Sequence, residues 1–340
     1  MKAKNILFNV SAVFALSSVA FISSTFAQAP GAQGGRPANM GMAAPEKTAA
    51  FQADVERVLA PRGEKIGLLL ATHGAGSPRW TQVTESLRDQ VRALDAKEKR
   101  FAAIEVCDME FNFKNDITEG FKRLEAAGCD AVVVEPVFIY PTSHVQFDLP
   151  TALGVYGEKS AREGAREEGM RVLKTKLPIS LAATLSSGSL LRDYVVSEAK
   201  RFSKTPADER LLVIAHGDED YRGLVEKQTK SALDAAAELG FDSVGCAFCE
   251  MGQTFATEVK PVIEKNTQEG KKTVVVAIYL ASSAKSFIEG LEKRAKAMNM
   301  GEGASPSLEG LDYVLSDKAL GDFDGTAQHV YEAAIEASLN

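Results

Sequence analysis

Histidine and cysteine are scarce in this chain of 340 residues, four of each, and tryptophan occurs once. No H-E-x-x-H pair places two metal ligands on one helix face, and Cys246-Ala-Phe-Cys249 has no second C-x-x-C to complete a zinc set. The P-loop pattern is absent, and the glycine-rich stretch Gly31 to Gly35 has no strand before it, so no nucleotide is expected. A Gly-x-Ser-x-Gly phrase is missing, which leaves a serine hydrolase unsupported. Basic excess is missing too: 46 acidic against 39 basic residues give a net charge of -7, which argues against nucleic acid and against an anionic membrane surface. Hydrophobic residues at 45% and a length with room for two domains indicate a folded globular protein.

The amino terminus reads as an export signal. Lys2 and Lys4 precede the apolar run Ile6 to Ile22, and Ser23-Ser24-Thr25-Phe26-Ala27 offers small residues to a signal peptidase. Cleavage is expected after Ala27; the A-x-A phrase ending at Ala29 ranks second because Pro30 follows the bond. An uncleaved anchor is disfavoured, since the run is short for a span and no basic cluster follows it. The expected organisation is a signal at 1–27, a Gly/Pro/Met-rich tether at 28–50, and two domains at 51–204 and 205–340. The predicted location is periplasmic, with no stable membrane insertion after cleavage. Met40 and Met42 in the tether are soft ligand types, read here as composition. Cys107, Cys129, Cys246 and Cys249 are expected to be buried thiols; residues 246 and 249 fall on opposite faces of an apolar strand, where a bridge is unfavourable.

What is present is an apolar run, Leu68-Leu69-Leu70-Ala71-Thr72, ending on His73-Gly74, followed by Ser77 and Pro78 as helix cap and first helical residue. The phrase returns at Leu211-Leu212-Val213-Ile214-Ala215-His216-Gly217. Strands are expected at 66–72, 102–109, 131–137 and 170–173, with helices at 51–59, 79–94, 117–127 and 189–201, the last closing the first unit. The second unit repeats the order, with strands at 211–215, 243–248, 273–280 and 312–315 and helices at 224–239, 255–266, 286–297 and 327–337. Three markers recur with nearly one offset: His73 and His216, Glu110 and Glu250, and His144 and Lys285. That is the signature of internal duplication. The fold class is therefore α/β: two flavodoxin-like halves, each a mainly parallel four-stranded sheet flanked by helices, facing each other across a cleft. With strand order 2-1-3-4, the first and third strands end side by side where the winding reverses, which is where open α/β sheets place ligands.

Those ends carry His73 and His144, and the second strand runs into Met109-Glu110-Phe111-Asn112. Two imidazoles and a carboxylate on one rim suit a divalent first-row ion, and neutral histidine also serves as acid or base. The same residues, His73-Gly74, Met109-Glu110-Phe111-Asn112 and Pro136-Val137-Phe138-Ile139-Tyr140-Pro141-Thr142-Ser143-His144-Val145 with Asp148-Leu149-Pro150, resemble the sirohydrochlorin cobaltochelatase family of class II tetrapyrrole chelatases. The resemblance covers both halves from Ile66 onward and is most specific in the first. It implies ATP-independent insertion of cobalt or nickel, as substrate, into sirohydrochlorin, with His73 and His144 holding the metal or taking pyrrole protons and Glu110 assisting. The tetrapyrrole partner is a flat polyacid, for which Arg79, Arg222 and Lys285 are the candidate cations and His216 a candidate for the opposite wall. Lys285 stands where a second histidine would complete the second half, so one working site is expected, in the first. His329, in the last helix, is expected to be a packing or surface residue. A homo-oligomer is left open, and a non-catalytic periplasmic carrier of metal or tetrapyrrole is the alternative function.

Overall fold

A computed structural model describes residues 63–156, 159–167, 169–216, 219–249, 254–297 and 306–339. The proposed signal, the tether and the helix expected at 51–59 lie outside these residues. The first half runs β1 (Ile66–Thr72), α1 (Pro78–Glu98), β2 (Ala103–Asp108), α2 (Ile117–Ala126), β3 (Ala131–Pro136), a π-helical turn (His144–Asp148), α3 (Leu149–Ala152), α4 (Lys159–Glu167), β4 (Ile179–Leu181) and α5 (Leu190–Phe202). The second runs β5 (Glu209–Ala215), α6 (Arg222–Ala237), β6 (Ser243–Phe248), a π-helical turn (Phe255–Val259), α7 (Lys260–Gln268), β7 (Lys272–Ile278), α8 (Ala284–Ala297), β8 (Tyr313–Leu315) and α9 (Asp324–Leu339). Each half forms one four-stranded sheet, ordered β2-β1-β3-β4 and β6-β5-β7-β8, and every pairing is parallel.

The alternation of side chains along each central strand explains the layering. On β1, Leu68 and Leu70 enter one core while Leu69 and Ala71 enter another; on β5, Leu211 and Val213 face one way, Leu212 and Ile214 the other. Leu68, Leu70, Leu211 and Val213 belong to a single continuous core, filled by Val83, Leu87 and Val91 of α1, Tyr194 and Val195 of α5, Val225 of α6 and Val330 of α9. The outer faces have separate cores under α2 and α3 in the first half and under α7 and α8 in the second. Strands covered on both sides need apolar residues throughout, which is why β1 and β7 read as unbroken runs. Ser77 caps α1, accepting from the Trp80 N–H at 3.2 Å, with Pro78 at its first position.

Two elements depart from expectation. Residues 170–173 form no strand. Met170 and Leu173 bury their side chains in the outer core, but the backbone bonds to Ala165 and Ala152, and Arg171 is tied to Asp116 and Glu119. The fourth strand is instead Ile179–Leu181, paired with Val132–Val134. A run of four residues with apolar ends does not separate a packed loop from a strand, because either buries its apolar side chains. The helix expected to close the first unit packs on the second: α5 lies against α6 and β7, and the Tyr194 hydroxyl shares its one proton between the carbonyl oxygens of Ala277 and Lys318, each at 2.8 Å. Conversely α9 crosses back onto α1 and β3, where the Tyr331 hydroxyl donates to Asp95 at 3.2 Å.

All four cysteines are free thiols. Cys246 packs against the shared core and Cys249 against the outer one, on opposite faces as expected. Burial pushes their thiols up to about 12 and about 11.

Candidate metal centre

Three loops leave the carboxyl ends of β1, β2 and β3 and are zipped together beyond the sheet. The Met109 N–H donates to Thr72 at 2.8 Å, the Glu110 N–H to His73 at 2.9 Å and the Val137 N–H to Ala71 at 2.8 Å. This extension of the ladder sets Glu110 beside His73. It requires Gly74: its φ is +94°, and a Cβ there would lie 2.2 Å from the Glu110 carbonyl oxygen.

Beneath the zipped loops sits a buried polar knot. Asp108 accepts from the Thr72 hydroxyl at 2.7 Å, from the Trp80 indole at 3.3 Å and from the Asn112 amide at 2.9 Å. These bonds fix both ends of the segment that carries Glu110.

His144 opens the π-helical turn, in which the Leu149 N–H reaches back to the His144 carbonyl. Such wide turns recur at functional sites. Here the turn brings the Asp148 carboxylate to 2.7 Å from His144 Nδ1. Nδ1–H therefore donates to Asp148, and the lone pair of Nε2 is turned to the site. His73 Nδ1 lies 2.8 Å from the Gly74 carbonyl, which fixes the same tautomer and likewise leaves Nε2 as the ligand atom.

One ligand atom from each of His73, Glu110 and His144 lies within 4.8 Å of the others. The imidazole rings meet edge to face with centroids 4.6 Å apart, and His73 Nε2 is 3.7 Å from Glu110 Oε2. That is too long for a hydrogen bond. It is close to the separation of about 3.4 Å between two donors bonded at about 2.1 Å to one tetrahedral ion. The Glu110 side chain is 7% exposed, His144 20% and His73 29%, so the donors are sheltered on one side and open on the other.

The other candidate residues are not brought to this cluster as ligands. Arg79 is ion-paired with Asp322 and donates to Gln82 at 3.1 Å. Arg222 pairs with Glu258 and stacks over Phe248, 4.6 Å from the ring centroid. Lys285 is exposed at the start of α8, its backbone N–H bonded to Ser316. His216 is exposed and rests on Tyr279, ring centroids 5.4 Å apart. Glu250 lies outside the described residues. His329 is half-buried and 3.3 Å from the Ser187 hydroxyl, and burial holds its imidazole below the usual histidine range. The residue that sequence reasoning left without a role is Asp148; its one signal was its place four residues after His144.

The CbiX family model matches residues 67–200. A sirohydrochlorin cobaltochelatase from Saccharolobus solfataricus is 26% identical over 140 residues, 41% of this chain and 95% of that protein. Another, from Methanococcus maripaludis, is 33% identical over 89 residues, 26% of this chain and 58% of that protein. The structure of SirB from Bacillus subtilis with Fe3+ superposes with a TM-score of 0.56 at 15% identity, covering 81% of this chain and 96% of SirB, a likeness of fold across both halves. Residues 67–200, which carry His73, Glu110 and His144, are thus the stretch in which this chain resembles the CbiX family, and the likeness to SirB extends that resemblance, as fold alone, over both halves.

Proposed function

We propose that this protein inserts a divalent metal, cobalt or nickel, into sirohydrochlorin or a related tetrapyrrole, without ATP and in the periplasm. The observation that carries the reading is the His73, Glu110 and His144 donor set, half sheltered at the switch point of a chelatase-type sheet. The amino-terminal pattern from Lys2 to Ala27 supports the compartment.

The reaction exchanges one M2+ for two pyrrole N–H protons. Two imidazole nitrogens and one carboxylate hold the ion through fewer bonds than it can form, so coordination positions remain for the incoming macrocycle nitrogens. As the metal–nitrogen bonds to the ring form, those to His73, His144 and Glu110 break. Each released donor is then a base beside the pyrrole that must lose its proton. Glu110 takes one proton on its carboxylate. His73 takes the other at Nε2, because Nδ1 already bears a hydrogen donated to Gly74, and its partial exposure gives that proton a way to solvent. Asp148 keeps His144 in the ligating tautomer and steadies its ring.

The test is an anaerobic optical assay with the mature chain from Gln28, excess sirohydrochlorin and Co2+ or Ni2+. Multiple turnovers that disappear in His73→Ala and His144→Ala are the expected result. Uptake of one equivalent without turnover would replace the enzyme by a carrier on the same fold.

A further inference from the structure

Phe111 is the least comfortable residue of the site. It follows Glu110 directly, its φ is +62°, and 65% of its surface is exposed. A bulky aromatic side chain in the left-handed region is an outlier, and an exposed phenyl ring gains nothing from burial that would offset it. The surroundings hold it there. The Glu110 N–H is bonded to His73 on one side; on the other, the Asn112 amide is bonded to Asp108 at 2.9 Å, and the Asn115 N–H closes the turn onto the Asn112 carbonyl at 2.9 Å. Phe113, two residues on, is 60% exposed and its ring lies over Gly169. Among the described residues, the exposed large hydrophobic side chains are Phe111, Phe113, Val262 and Leu339, so two of the four sit within three residues of Glu110.

The Phe111 ring is 5.7 Å from that of His73. Phe138 is 6.4 Å from His73 and 6.1 Å from His144, so both imidazoles have an aromatic neighbour. An ion leaving the donor set enters a macrocycle only if the centre of the ring lies against that set. The outer pyrroles then lie several ångströms to the side, the offset at which Phe111 stands from His73. The face of a tetrapyrrole is a broad apolar π surface, and a ring held rigidly beside the donor set meets it without ordering cost.

Resting on the function proposed above, we infer that Phe111 is a substrate-positioning contact, an aromatic rest against which a pyrrole of the macrocycle packs while its centre faces His73, Glu110 and His144. The strained backbone keeps the ring at the donor set instead of letting it fold into the core.

The experiment separates the two ligands. Metal-free sirohydrochlorin is titrated optically, and Co2+ alone calorimetrically, against the mature wild-type chain and the variants Phe111→Gly, Phe111→Ala and Phe111→Trp. Phe111→Gly removes the ring at a position whose φ suits glycine, so its melting temperature stays at or above wild type and the loss reports on contact rather than folding. The expected result is macrocycle affinity lowered about tenfold in the Gly and Ala variants. It is retained in Phe111→Trp, with Co2+ affinity unchanged in all three. Macrocycle binding by Phe111→Gly equal to that of a wild type that binds would overturn the inference alone. A wild type that takes up Co2+ and no macrocycle would overturn the functional reading and the inference with it.

Discussion

Beyond the carboxyl ends of β1 and β3, His73 and, from the π-helical turn, His144 bring their rings to 4.6 Å beside a nearby carboxylate. At the matching end of β5 the arrangement is a stack: His216 rests on Tyr279, and Tyr279 is stacked on Phe287 with centroids 4.6 Å apart. Lys285 stands where His144 stands in the first half, exposed at a helix start. The two sheets share order, direction and register, so the contrast lies in the rim residues and not in the scaffold. The second half touches the donor-bearing loop all the same. The Tyr140 and Thr229 hydroxyls lie 2.8 Å apart across the halves, and the Tyr221 hydroxyl reaches Gln146, inside the turn that opens on His144, at 3.4 Å. One copy of the unit holds the donor cluster and the other buttresses its loop.

The sharpest way to break this contrast is to remove a ring from each rim. His144→Ala is expected to lower metal insertion by about a hundredfold or more. His216→Ala should leave the rate at the wild-type level; comparable losses in both would show that the two rims work together. Next in size is Asp148→Ala, expected to weaken Co2+ binding by about ten- to a hundredfold, read by calorimetry, with the fold intact by circular dichroism. Unchanged affinity would mean that the His144 ring is held by its packing alone.

The two halves differ inside the sheets as well. Glu135 in β3 is opposite Leu70, and Val276 occupies the same place in β7 opposite Val213. Both are fully buried, and among the described residues the Glu135 carboxyl has no hydrogen-bond partner. Burial raises its pKa well above the usual carboxylate range. The folded chain then keeps a proton that the unfolded chain loses, so this residue makes the protein less stable as pH rises past that range. Glu135→Val, which copies the second sheet, is expected to stabilise the fold by about 1–3 kcal/mol at neutral pH, with a smaller gain near pH 4. Urea unfolding at the two pH values checks this, and a gain independent of pH would mean that the carboxyl titrates normally. The smallest effect is expected at the contact between halves. Thr229→Val should cost about 1 kcal/mol of stability by leaving the Tyr140 hydroxyl short of a partner, with metal affinity unaltered.

Much of this could be read along the chain. Short apolar runs such as Leu68 to Ala71, bounded by glycine, suit a strand covered on both faces, and alternation with amphipathic helices points to a parallel sheet. Histidine directly after such a run must stand at the strand's carboxyl end, so His73 was placed by its neighbours. Residues 170–173 could not be placed in this way, since burial without a ladder leaves the same pattern as burial within one. The exchange of α5 and α9 between halves was equally invisible, because Tyr194 and Tyr331 would be buried aromatics against either sheet. Asp148 stands in the sequence four residues after His144, but a π-helical turn was needed to carry its carboxylate to His144 Nδ1.

The duplicated parallel α/β scaffold and the strand end that bears His73 follow from periodicity and covalent neighbours. Which rim becomes a donor set was decided by the tertiary structure. Ligation depends on separations of a few ångströms between side chains tens of residues apart, and those are set by hydrogen bonds between loops, such as Glu110 N–H to His73, and by the close approach that Gly74 permits.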